Sequence, residues 1–179
     1  MAKTKTKIKS KTKKMAESPA QLYASALTLV EQSQPEEALA TAQKLWSLVQ
    51  NEAAAQALPA LNLLGEISVE LGDVSGAKSY FEKAVSLDPE GLLPETVGGG
   101  AEKFLWLAQL SEEGGQESVK WFEKGVIALQ HEIAELTKGP PGFDEETLTW
   151  MRIEKKRKLA NALCGIIEVY MTEIGRAHV

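Results

Sequence analysis

Residues 58–89 read LPALNLLGEISVELGDVSGAKSYFEKAVSLDP. Apolar residues recur at helical spacing on both sides of Gly72-Asp73, which is itself a turn signal. Leu61, Leu64, Gly65, Ala77, Phe81 and Ala84 fall at offsets that let two antiparallel helices close-pack. Small side chains stand where the helices must approach, and large ones where the gap must be filled. Asp88-Pro89 closes the unit, because proline cannot continue a helix. One helix pair cannot bury its apolar face alone, so neighbours are predicted to stack against it.

The pattern resembles the tetratricopeptide repeat (TPR), a unit of about 34 residues. Every signature position but one is acceptable, with Ser68 in place of the usual aromatic. The resemblance implies an all-α, right-handed solenoid of antiparallel helix pairs, and a binding scaffold rather than a catalyst. About three repeats are predicted, at 19–52, 58–91 and 101–138, with an unpaired half repeat at 144–173.

The flanking units carry the same signals in weaker form. Ser18 is a good N-cap and Pro19 suits the first helical position, so a helix is predicted from there to about Gln34. Pro35 opens its partner. Leu22, Ala26, Leu29, Ala38 and Ala42 take the signature positions, although Ser25 and Ala42 stand where larger residues are usual. The second repeat's first helix is expected to reach back toward Ala53, with Pro59 interrupting or kinking it. A loop from Glu90 to about Gly100 holds Pro94 and Gly98-Gly99-Gly100, which predicts mobility. The glycines do not form a phosphate loop, since no strand precedes them and Ala101-Glu102 follows.

In the third repeat Leu107 and Ala108 match the Leu-Gly pair, and Gly114-Gly115 makes the turn. Ser118, Phe122 and Gly125 fit the second helix, which reaches about Leu136 before Gly139-Pro140-Pro141-Gly142 ends it. Asp144 then caps a long helix to about Thr172. Within it Leu159, Leu163, Gly165, Ile166, Val169 and Tyr170 look like the first helix of a further repeat. Residues 174–179 continue no pattern and read like a translated sequencing adapter, which predicts a natural chain that goes on into further repeats. Sequencing the locus through codon 173 tests this, and a genuine stop after Val179 would remove it.

The net charge of -5 conceals a division. Residues 1–14 carry seven lysines (Lys3, Lys5, Lys7, Lys9, Lys11, Lys13, Lys14) and no acid, leaving 13 basic and 25 acidic side chains beyond them. Like charges repel and almost nothing apolar is available there, so residues 1–17 are expected to be a disordered tail, either solubilising or a nuclear address. The remainder, 18–173, is the TPR domain; its strong acidity disfavours direct nucleic-acid binding. No apolar run approaches the ~18 residues of a membrane span, and no apolar stretch follows the basic N-terminus as in a signal peptide. The one cysteine, Cys164, forms no internal disulfide and is expected to be a small core residue.

No catalytic, metal or cofactor site is expected. His131 lies beside Glu132 and Glu135 on what is most simply a solvated helix face. Glu36-Glu37 and Glu145-Glu146 sit near helix starts, where acids favour the macrodipole. The tryptophans Trp46, Trp106, Trp121 and Trp150 have core-like neighbours, though Trp106 or Trp150 could face a groove.

In this repeat class the first helix of each pair lines a concave surface, with fixed positions pointing inward. The resemblance places there Tyr23, Leu27, Val30 and Glu31, then Asn62, Glu66, Val69 and Glu70, then Leu105, Gln109, Glu112 and Glu113. That face has acids, some apolar contacts and no lysine. It suits a basic extended peptide, or is ordinary solvated surface. The lysine, arginine and asparagine clamp that one subgroup uses for acidic chaperone tails is disfavoured, because its first helix needs a Lys and an Asn and Pro19–Gln34 has neither.

Within the repeat class, the lysine tail and the segments KFLWLAQLSEEGGQESVKWFEKG and KLANALCGIIEVYMT resemble the fungal family of assembly chaperones for ribosomal protein number four of the large subunit. The likeness covers about 18–172. It implies a basic, newly made ribosomal client whose long internal loop is gripped by the chaperone and which is escorted into the nucleus, with residence in nucleus and cytoplasm. A generic adaptor in a multiprotein complex is the competing expectation.

Overall fold

The computed structural model describes residues 17–111 and 115–177, with side chains as far as residue 172. The helices are α1 (Pro19–Glu31), α2 (Pro35–Val49), α3 (Ala54–Glu70), α4 (Val74–Leu87), α5 (Glu102–Gln109), α6 (Gly115–Thr137) and α7 (Glu145–Ala177). A short 3-10 turn, Glu95–Val97, lies between α4 and α5. Each helix packs mainly on the next in chain order, which is the contact pattern of a stacked solenoid. Among the described residues there is no strand, and no helix is long and apolar enough to cross a membrane.

The central pair packs as the spacing predicts. Gly65 of α3 faces Phe81 of α4 so closely that an added Cβ would lie 2.5 Å from the ring. Leu61, Leu64, Ala77, Phe81 and Ala84 are all buried. Ser68 is buried too, in the place of the usual aromatic. One core cluster joins Ala26, Ala38 and Ala42 to Leu63, Leu64 and Ile67, so α3 is shared between the first pair and the second. A second cluster places Leu107 against Ala77 and Phe81, which carries the stacking on to α5.

The caps follow the local chemistry. Ser18 and Gln21 form a reciprocal capping box at the start of α1. The Asp144 side chain accepts from the Thr147 N–H at 2.7 Å at the start of α7, and this bond holds its carboxyl below the ordinary range. Helix α3 runs through Pro59 without the predicted interruption. Pro59 lies near the helix start, where only one intrahelical bond is forfeited.

Helix α1 ends at Glu31, short of Gln34, because Ser33 takes a left-handed conformation (φ 57°). Its N–H reaches the Val30 carbonyl and that of Gln34 reaches Leu29. Gly72 (φ 74°) closes α3 by the same device, bonding Val69 while Asp73 bonds Ser68.

Three further expectations are corrected. The loop from Glu90 to about Gly100 is fastened rather than loose, with Asp88 accepting from the Leu93 N–H and Asn62 donating to the Gly98 carbonyl. Cys164 is exposed, not in the core; with Leu163, Ile167, Tyr170 and Met171 it lies on parts of α7 that no described helix covers. Helix α7 also continues past Thr172 to Ala177, so residue 173 is no break in backbone structure. Residues 1–16, 112–114 and 178–179 lie outside the described residues, and with them the lysine tail and the Gly114 part of the predicted turn.

Ser33 carries a side chain where glycine is favoured, at a cost of about 1 kcal/mol. Ser33→Gly is therefore expected to raise the thermal midpoint by roughly 2–4 °C, measured by circular dichroism. An unchanged or lowered midpoint would contradict this account of the turn.

Candidate functional site

The faces of α1, α3, α5 and α7 border three connected recesses. The first, about 770 Å³, is lined by Tyr23, Asn62, Glu66, Glu95 and Glu102 among others. The second, about 580 Å³, lies between α5 and α7 and includes Glu102, Trp106, Gln109 and Lys158. The third, about 280 Å³, is bordered by Leu27, Val30, Glu66, Val69, Glu70 and Trp106. Glu66 joins the first and third recesses; Glu102 joins the first and second.

The structure thus brings together most of the predicted inward positions. Tyr23, Leu27, Asn62, Glu66, Glu70 and Gln109 line the recesses, as do Val30, Val69 and Leu105. Glu31 is exposed and borders none of the three. Glu112 and Glu113 lie outside the described residues. Asn62 is committed within the protein, its amide donating to the Gly98 carbonyl at 2.8 Å. Of the two tryptophans that could face a groove, Trp106 lines two recesses, while Trp150 is exposed away from all three.

Two features were not foreseen. Glu102 and Glu95 add carboxylates, and α7 contributes a cation to a face expected to hold no lysine. Lys158 pairs with Glu102 and stands 4.0 Å from Glu95. Lys155 reaches Glu132 at 2.6 Å and Glu95 at 2.7 Å. Burial pulls the Lys155 pKa down, but hydrogen bonds to Glu132 and Glu95 outweigh it and leave the pKa raised. Glu132 is therefore not on a solvated face. It also accepts from the Ala101 N–H at 3.0 Å. His131 is exposed and only 3.8 Å from Glu135.

A buried ion pair holds this arrangement. Lys103 donates to Asp88 at 2.7 Å and to the Gly100 carbonyl at 2.7 Å. Asp88 also accepts from the N–H groups of Leu92 and Leu93. Burial pushes the Lys103 pKa down, opposed by Asp88. Gly98 (φ 77°) lies against the backbone of Leu58 and Pro59, closer than a Cβ would allow. The glycine-rich segment is thus packed onto α3, with Leu93 joining the Leu58, Leu61 and Ala84 cluster. Sequence offsets could not reveal Asp88 and Lys103 as partners, since nothing local distinguishes them from surface charges.

The electrostatics are uneven. Glu66 is exposed by surface area, yet it lines two of the recesses. Burial raises its pKa first, then the Glu102 and Glu70 charges, with Lys158 opposing. Tyr23 is also raised, by burial and then by Glu66. Among the described residues no group of three or more His, Cys, Asp or Glu side chains could hold a metal ion.

These stacked pairs define a TPR-type helical solenoid, and the tetratricopeptide repeat pattern matches residues 58–90. The chain is 51% identical over 118 residues to the probable assembly chaperone of rpl4 of Emericella nidulans, covering 66% of this chain and 30% of that protein. It is 35% identical over 115 residues to the protein of the same description from Schizosaccharomyces pombe, covering 64% and 29%. The solved structure of an assembly chaperone of RpL4 (Acl4), residues 1–338, matches with a TM-score of 0.78 and 43% identity, over 88% of this chain and 56% of that one. The matched region thus spans about 30% of the length of the curated relatives.

Because Glu66 holds its proton more tightly folded than unfolded, its ionisation opposes folding above the ordinary carboxylate pKa of about 4.3. Glu66→Gln is therefore expected to raise the melting temperature at pH 7, an advantage that disappears below about pH 4. A variant less stable than the parent at pH 7 would contradict the raised pKa.

Proposed function

We propose that this chain is part of a dedicated chaperone that holds a basic segment of a newly made large-subunit ribosomal protein along its concave face. The observation that carries the reading is the pair Glu66 and Glu70, carboxylates one helical turn apart that border the recesses without a cationic partner among the described residues. Their mutual repulsion is relieved by an incoming cation. The relatives' description as probable assembly chaperones of rpl4 supports the same reading and names the client class. A basic extension is prone to premature contact with nucleic acid, and a complementary acidic groove shields it while speeding encounter. The lysine-rich residues 1–14 fit a nuclear address, so the proposed site of action spans cytoplasm and nucleus during large-subunit assembly.

Pull-down with the chain from fungal extract, read by mass spectrometry, is expected to recover the organism's rpl4. Glu66→Lys with Glu70→Lys is expected to weaken that capture at least ten-fold at low salt, with the melting curve as a folding control. Undiminished capture by the double variant would remove the groove from the account.

A further inference from the structure

We propose that the recess beside Trp106, between α1 and α3, is the seat for a single arginine side chain of the basic client. The proposal rests on the function proposed above and makes its chemistry specific. At about 280 Å³ the recess is smaller than a typical small-molecule site. Its border is part apolar and part acidic: Leu27 and Val30 from α1, Val69 from α3, then Glu66, Glu70 and the indole of Trp106. A long basic side chain has that same division, an apolar stem and a charged head.

Trp106 is held in place by stacking on Phe81, with centroids 5.9 Å apart and planes 9° from parallel. Phe81 in turn is locked by the close contact with Gly65, so the indole is fixed before any ligand arrives. Glu66 and Glu70 lie four residues apart on α3 and share one side of the helix. Glu102 and Glu95 are already answered by Lys158 and Lys155, whereas Glu66 and Glu70 have no salt-bridge partner among the described residues. Burial and the neighbouring charges of Glu102 and Glu70 push the Glu66 pKa up, and Lys158, which makes no salt bridge to it, opposes this only in part.

Arginine fits better than lysine for two reasons. A guanidinium is planar and weakly hydrated, so it stacks on an indole face at little desolvation cost. Its fork of donors also reaches more than one carboxylate oxygen at once, which a point-like ammonium does less well.

The test uses two fluorescein-labelled peptides of equal length, identical except that one carries four arginines and the other four lysines. Anisotropy titrations at low salt compare the unaltered 179-residue chain with Trp106→Leu and Glu70→Gln. The arginine peptide is expected to bind about five-fold tighter than the lysine peptide. Trp106→Leu is expected to bring that ratio to about one while lysine-peptide binding persists, and Glu70→Gln to weaken both by about three-fold. Glu70 is exposed, so its variant remains a valid test if Trp106→Leu fails to fold. Equal affinity of the unaltered chain for both peptides, or an arginine preference that survives Trp106→Leu, would overturn the arginine seat and leave the acidic groove standing; indifference to Glu70→Gln would overturn the seat and also count against the carboxylate pair that carries the groove. Absence of binding to either peptide would overturn both.

Discussion

The arrangement hangs on the ion pair between Asp88 and Lys103. Both side chains are almost wholly buried, with 5% and 1% of their surface exposed. Removing two charges from water costs several kcal/mol per ion, even after relaxation. Here the cost is offset by further bonds: two backbone N–H groups to Asp88, and the Gly100 carbonyl to Lys103. A satisfied buried network of this kind defines geometry more than it adds net stability. It ties the end of α4 to the start of α5, so Glu102, Trp106 and Gln109 arrive alongside α3. A loose connection would leave the concave face in separate pieces.

A second, more exposed network carries the constraint onward. Lys155 and Lys158 of α7 meet Glu95, Glu102 and Glu132, which belong to the fastened segment, α5 and α6. The long α6–α7 hairpin is thereby registered against the same connection. One consequence is electrical. Glu95 and Glu102 are answered by cations of α7, while Glu66 and Glu70 on α3 have no salt-bridge partner among the described residues. The groove is therefore not uniformly acidic, and two of its open carboxylates border the recess beside Trp106.

Close contacts at glycine set the helix spacing. Phe81 lies over Gly65, Phe122 over Gly165, and Leu105 over Gly125. In each case a large side chain fills the space that a missing Cβ leaves, so neighbouring axes approach closely. Phe122 contacts α7, which places the third pair's second helix against the following helix and continues the stacking. The exposed apolar residues of α7 mark where that continuation stops among the described residues.

The sequence by itself determined the local architecture. Helix starts at Ser18 and Asp144, the turn at Gly72, and the small-large alternation of residues 58–89 depend on interactions within a few residues, so their signals are written contiguously. The inward positions came from the resemblance to the repeat class, and most of them border the recesses because the offsets within one helix fix which side they share. Ser33 was missed because serine rarely adopts a left-handed turn. Only the tertiary structure decided what depends on distant partners. Asp88 reads only as part of the Asp88-Pro89 stop until burial pairs it with Lys103, the glycine-rich loop reads as mobile until Asn62 and Glu132 hold it, and Cys164 reads as core until it proves exposed. Lys158 lies 56 residues from Glu102, and no periodicity announces that a cation from α7 will answer one acid of the groove while leaving Glu66 and Glu70 open.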